Sequence, residues 1–315
     1  MAFTVLLAAP RGFCAGVERA IRTVELALDN RAPGDARPVY VRHEIVHNKV
    51  VVDDLRARGA VFVEETREIP AGATAVFSAH GVAPRVREEA AARGLVTLDA
   101  TCPLVSRVHA AVLRYAARGY TILFVGHAGH PEVEGVMGEA PDHVRLIETL
   151  ADAERVVVPD PARVAYATQT TLSLDDVSAL VATLRRRFPD MVGPEAGDVC
   201  YATQNRQEAV HALVTQHAAE VVLVLGSPNS SNSNRLREVA ESAGARAYLL
   251  GRAAELDPDW LTAVSRLGIS AGASTPEHLV QGLVDRLRQL GATEVQTVET
   301  RVEDVFFAPP PIRRS

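Results

Sequence analysis

Apolar positions along this chain follow two alternating periods. Short β-branched runs at 4–8, 39–42, 61–63, 75–78, 96–98, 121–125, 164–167, 221–225, 247–250 and 266–270 read as strands. Between them, 17–28, 49–58, 84–93, 105–118, 174–188, 206–216, 233–242 and 276–290 carry the helical period. Several of these helices run into a glycine stop, at Gly59, Gly94, Gly119, Gly244 and Gly291. Strands alternating with helices in this way predict an α/β fold with mainly parallel sheets.

The length of 315 residues allows two domains, or three small ones. With 47% hydrophobic and 23% charged residues the chain reads as an ordinary globular protein. Basic residues number 33 against 39 acidic, a net charge of −6, so no basic field points to nucleic acid. No apolar run reaches the roughly 18 residues of a membrane span. The opening MAFTVLLAAP lacks a basic leader and reads as a first buried strand rather than a secretion signal. Three cysteines are no disulfide framework, which predicts a reducing, cytoplasmic setting.

Those cysteines, Cys14, Cys102 and Cys200, lie 88 and 98 residues apart, each between a strand-like run and a helix. The spacing suggests three α/β units, 1–98, 99–196 and 197–305, followed by an extended proline-rich tail at 306–315. Loops at the carboxyl ends of parallel strands are where α/β folds build sites. A thiol there sits near a helix N-terminus, which favours the thiolate. Three such thiols fit an iron–sulfur cluster or, less well, a zinc site, which usually takes four ligands. Three unrelated buried thiols are the remaining reading, and spacing alone leaves all three open.

Polar, small-residue loops surround the cysteines, and each occupies a strand end or helix start, where N–H groups and hydroxyls can hold an anion. Taken together, these stretches resemble the 4-hydroxy-3-methylbut-2-enyl diphosphate reductase family. The matching words are PRGFCAGV at 10–17, YVRHEIVHN at 40–48, DATCPLV at 99–105, GHAGHPEVEG at 126–135, TQTTLS at 168–173, CYATQNRQ at 200–207 and NSSNSNRL at 229–236. They run in the family's order from residue 5 to about 290. Pro228 within the serine–asparagine loop and a short segment at 140–145 depart from the family pattern, and the proline-rich tail lies outside it.

The resemblance implies three α/β domains in a trefoil around one [4Fe–4S] cluster with three ligands, Cys14, Cys102 and Cys200. The open iron would bind the substrate's allylic hydroxyl, and air would strip the cluster to [3Fe–4S] or remove it. Two electrons and two protons would then expel water and give isopentenyl or dimethylallyl diphosphate. Glu132 is implied as the proton donor, Thr170 as the bridge to the substrate hydroxyl, and His130 as a further catalytic group. His47, His80, His130, Thr170, Ser230, Ser231, Asn232 and Ser274 are implied as substrate contacts. His43 and His127 sit inside matching words as supporting groups, while His109, His143, His211, His217 and His278 read as ordinary hydrogen-bonded histidines.

No flavin or nicotinamide fingerprint is visible, so electrons are expected from a separate protein, which the resemblance implies is a ferredoxin or flavodoxin. A monomer is expected, and substrate affinity should fall as pH rises through the imidazole range. Three rivals make separable predictions. A hydro-lyase would work without reductant, a sensor would not need Glu132, and a thiol nucleophile would need Cys14 alone.

Overall fold

Strand β1 (Phe3–Ala9) alternates its side chains between two apolar clusters: Phe3, Val5 and Leu7 enter one, Leu6 and Ala8 the other. A strand buried on both faces belongs in the middle of a parallel sheet. The computed structural model describes residues 2–31, 37–194 and 197–311. The first third of the chain continues through α1 (Ala15–Asp29), β2 (Val39–Arg42), α2 (Lys49–Ala57), β3 (Ala60–Val63), β4 (Thr74–Phe77), α3 (Pro84–Ala92) and β5 (Val96–Asp99). Next come α4 (Pro103–Ala117), β6 (Thr121–Val125), α5 (Pro131–Met137), β7 (Val144–Ile147), α6 (Leu150–Arg155), β8 (Val164–Thr168) and α7 (Leu174–Arg187). The last third holds α8 (Tyr201–Thr215), β9 (Val221–Leu225), α9 (Ser231–Ser242), β10 (Arg246–Leu250), β11 (Arg266–Ala271), α10 (Glu277–Gln289) and β12 (Ala292–Glu299).

The chain divides into two compact units. One is drawn from Met1–Val17, His47–Val51 and Tyr201–Phe306. It holds a five-stranded parallel sheet in the order β10-β9-β11-β1-β12. The other is drawn from Glu18–Val46, Val52–Cys200 and Phe307–Ser315. It holds two parallel sheets, β3-β2-β4-β5 and β7-β6-β8. The α/β class with parallel sheets is therefore as the pattern predicts.

The expected division by position differs at the N-terminus. β1 pairs with β11 on one side and β12 on the other, so the strand that opens the 1–98 segment serves the C-terminal sheet. As a central strand it needs a backbone partner along each edge, and both are supplied from residues 266–299. The expected boundary at 196, and 312–315 of the tail, lie outside the described residues. From Thr300 to Pro311 the tail has no regular structure. Thr300 caps the end of β1 through two bonds to the Ala9 carbonyl, from its N–H at 2.9 Å and its hydroxyl at 3.0 Å. Within the other unit, Arg19 Nε donates to the Ala308 carbonyl at 2.9 Å. Among the described residues no helix is long and apolar enough to cross a membrane.

Candidate active site

Each cysteine stands immediately before a helix: Cys14 before α1, Cys102 before α4 and Cys200 before α8. Unpaired N–H groups and the helix dipole favour a thiolate at such positions. The backbone N–H of each donates to a carbonyl of another loop: Cys14 to Ala273 at 3.2 Å, Cys102 to Ala79 at 3.0 Å, and Cys200 to Thr170 at 3.0 Å. Ala273 precedes Ser274, Ala79 precedes His80, and Thr170 is itself a candidate contact. Every candidate ligand thus shares a backbone link with a candidate substrate-binding loop.

Strands β1 and β5 precede Cys14 and Cys102 as predicted, whereas Cys200 follows irregular chain with a single β-bridge, Val192 to Ala165. A reciprocal pair holds that loop instead. Thr168 N–H donates to Asp198 Oδ2 at 3.1 Å, and Asp198 N–H donates to Thr168 Oγ1 at 2.9 Å. Arg19 does similar work beside Cys102, donating to the carbonyls of Thr101 at 2.9 Å and Asp99 at 3.3 Å.

All three cysteines are half-buried and none forms a disulfide. Burial pushes the Cys14 thiol up, against the charge of Arg206 and the N–H groups of Val17 and Gly16. Among the described residues no three His, Cys, Asp or Glu side chains gather closely enough to hold a single metal ion. In a cluster each thiolate binds its own iron, and thiols at helix starts are a donor set that fits one.

Glu132 is 1% exposed, although it lies in the first turn of α5. Thr170 satisfies both carboxyl oxygens, its N–H donating to Oε1 at 2.8 Å and its hydroxyl to Oε2 at 2.9 Å. Burial raises the Glu132 pKa to about 7, with the nearby Asp198 carboxylate adding to the rise and the two Thr170 bonds opposing it. The acid is therefore close to half protonated at neutral pH, where general acids work best. His130, also predicted, caps α5 by accepting the Glu132 N–H at its Nδ1, 3.1 Å away. With Nδ1 accepting, the ring hydrogen lies on Nε2, where it can be donated. His80 lies edge-on to it with ring centroids 5.5 Å apart, and its Nδ1 is 3.3 Å from Ser78 Oγ.

The other candidates gather at the carboxyl ends of β9 and β11. Ser230 caps α9, Asn232 Oδ1 accepts the Ala273 N–H at 2.8 Å, and Ser274 Oγ donates to the His47 carbonyl at 2.9 Å. Ser231 opens α9 and is half-buried. Asn232 is buried, and its side-chain amide nitrogen has no hydrogen-bond partner among the described residues. A buried donor left over after its oxygen is used is suited to an incoming anion.

Gly226 and Gly272, at the ends of these two strands, pack around Ser233, and a Cβ on either would overlap the Ser233 hydroxyl. Gly272→Ala should lower stability by about 1–3 kcal/mol. Adding Ser233→Ala should restore most of that loss, because the Ser233 Cβ lies 3.2 Å from the new methyl. Gly226→Ala should not be rescued, since its Cβ would also overlap the Ser233 Cβ. Denaturation midpoints of the four variants relative to Ser233→Ala check this.

His43 and His127 do not join either group. His43 Nδ1 pairs with Glu64 at 3.3 Å, with its pKa lowered by burial and by Arg42, and His127 is exposed. His109 pairs with Glu139 at 2.7 Å, and His143 Nδ1 contacts the Tyr120 carbonyl at 3.0 Å. Arg206 and Glu303 are not among the expected site residues. Arg206 is 1% exposed and bonds the carbonyls of Gly12 and Phe13, the two residues before Cys14. The sequence signal for it is an arginine on the same helical face as Ala202, Ala209, Val210 and Leu213, all buried on α8.

The family model described as LytB protein matches residues 5–288. A relative from Azoarcus sp. (strain BH72), named 4-hydroxy-3-methylbut-2-enyl diphosphate reductase, is 56% identical over 97% of this chain and 96% of its own. Another of that name, from Chromohalobacter salexigens, is 54% identical over 97% of this chain and 96% of its own. Among solved structures, the E-1-hydroxy-2-methyl-but-2-enyl-4-diphosphate reductase from Plasmodium falciparum matches with a TM-score of 0.91 at 37% identity. That match covers 96% of this chain and 93% of the other.

Proposed function

The chain belongs to the LytB protein family, and on that premise we propose that it reduces (E)-4-hydroxy-3-methylbut-2-enyl diphosphate. Two electrons and two protons enter, the allylic C–O bond breaks, water leaves, and isopentenyl or dimethylallyl diphosphate is formed. When bound, a [4Fe–4S] cluster on Cys14, Cys102 and Cys200 supplies the electrons and Lewis-acid binding of the hydroxyl at an open iron.

The observation that carries this reading is the buried Glu132–Thr170 pair, tied through the Thr170 carbonyl to Cys200. Hydroxide is a poor leaving group, so a proton must reach the departing oxygen. Glu132 holds that proton at Oε2, and the Thr170 hydroxyl, 2.9 Å away, can accept it while turning its own hydrogen outward. Burial keeps water from competing for it. His130 presents Nε2–H, and Asn232 presents its amide N–H groups to the diphosphate. His47, His80, Ser230, Ser231 and Ser274 complete the donor set. Ser274 must first turn its proton away from the His47 carbonyl.

A ferredoxin or flavodoxin delivers the electrons, and the enzyme works as a cytoplasmic monomer. The test is anaerobic purification, with iron and acid-labile sulfide analysis and spectra before and after dithionite. About four of each per chain and a broad absorption near ~400 nm that bleaches on reduction are expected. The hydroxylated diphosphate should then restore the colour. A protein that stays colourless after reconstitution defeats the reading.

A further inference from the structure

Arg206 does more than fill the buried face of α8. Its guanidinium is spent on three backbone carbonyls and one carboxylate. Nε donates to the Gly12 carbonyl at 3.0 Å, one terminal nitrogen to the Ala202 carbonyl at 2.9 Å, and the other to the Phe13 carbonyl at 3.1 Å. Both terminal nitrogens grip Glu303, at 3.0 Å on Oε1 and 3.2 Å on Oε2. Asn205 Nδ2 adds a further bond to Glu303 Oε1 at 2.9 Å.

Two features make this more than a packing device. The carbonyls it takes belong to the two residues directly before Cys14, and a lysine could not bond both of them and a carboxylate at once. Glu303 also lies beyond residues 5–288, the stretch matched by the family model, on the segment that follows β12. A fully buried cation held by one carboxylate is expensive, so a site nearby that gains from the charge would account for its presence.

We propose that Arg206 and Glu303 form a positioning pair for Cys14, fixing the loop that carries the thiolate and setting the charge felt by the metal group bound there. The pair is an addition to the cluster reading and rests on it. Arg206 favours the added electron, and Glu303 partly cancels it. Arg206→Met should therefore make a reconstituted cluster harder to reduce, and Glu303→Gln, which keeps the acceptor oxygen, should make it easier.

The experiment equilibrates anaerobically reconstituted protein with dithionite and a viologen mediator at one fixed potential. The reduced fraction is read by the electron paramagnetic resonance signal. Relative to wild type, the reduced-to-oxidised ratio should fall about tenfold in Arg206→Met and rise about threefold in Glu303→Gln. Arg206→Lys should keep the ratio closer to wild type but release iron to a chelator faster, because charge remains while the bonds to Gly12 and Phe13 are lost.

A purely structural role would move Arg206→Met and Glu303→Gln in the same direction or leave both ratios unchanged, and either result overturns the pair's electrostatic role. Should Arg206→Met fail to fold, Glu303→Gln decides alone, and a ratio unmoved or lowered there sinks the proposal. A wild-type protein that takes up no cluster refutes the underlying cluster reading instead, and is told apart by its iron content.

Discussion

Replacing Cys14, Cys102 or Cys200 singly with serine is expected to reduce bound iron from about four per chain to near zero, and reductase activity to background. Serine keeps the size of the side chain, but its alcohol stays protonated at pH values where a thiolate forms, so it cannot serve as a soft ligand. The folds of the variants should survive. The bonds that anchor these loops run from backbone N–H groups to Ala273, Ala79 and Thr170, and the side-chain sulfur takes no part in them. Circular dichroism and denaturation midpoints near wild type would separate a lost ligand from a lost fold. Equal sensitivity at all three positions supports ligation. A single sensitive position, with the other two variants active, would instead indicate a thiol nucleophile. Turnover of the diphosphate with no reductant present would favour the hydro-lyase.

Elements long enough to repeat a period are legible in the amino-acid sequence. β6 and β9, fully buried, match their predicted limits, and α4 and α7 lie within a residue or two of theirs. Short or solvated elements are not legible in this way. α5 spans seven residues and α6 six, less than two full turns, so no apolar stripe can repeat. β12 escapes the pattern because it forms an edge of its sheet, with Glu294, Gln296 and Glu299 on a largely exposed strand. α8 begins at Tyr201 rather than 206, because Thr203, Arg206 and Gln207 are buried polar residues that blur the helical pattern.

The candidate site shows the same division. Residue types and motif words point to Glu132, Thr170 and the three cysteines, whereas the bonds that join them cross wide gaps in the sequence. Glu132 meets Thr170 across 38 residues, and Arg206 meets Glu303 across 97. No local pattern encodes such pairs. Only strand order places β6 beside β8, bringing the loop after β6 next to Thr170. The Thr170 residue then joins two functions in one backbone unit, since its N–H and hydroxyl hold the acid while its carbonyl holds the Cys200 loop.

Glu132→Gln should lower kcat by about 10²–10⁴-fold while leaving iron content and substrate affinity nearly unchanged. Glutamine keeps an oxygen for the Thr170 N–H and the length of the side chain, so the loss isolates the proton. In the wild type, kcat should fall tenfold per pH unit above about 7, where burial places the Glu132 pKa, and that limb should vanish in the variant. Thr170→Val should lower kcat by removing the relaying hydroxyl, and should move the limb of the remaining activity to higher pH, because the hydroxyl bond it removes favours the carboxylate. Stability should fall with the same deprotonation, while the Glu132→Gln change that lowers activity should raise it. A folded pKa raised from 4.5 to about 7 means that the folded state holds its proton more tightly than the unfolded chain. This acid therefore costs the fold nothing below about pH 4.5, and its cost grows as pH rises towards 7 and is complete above it. The Glu132→Gln protein should then be the more stable of the two at pH 8, by at most about 3 kcal/mol, and equal to wild type near pH 4. Thermal midpoints that coincide at both pH values would mean that Glu132 is not held as a buried acid. A variant that kept full turnover would remove it from the proton path.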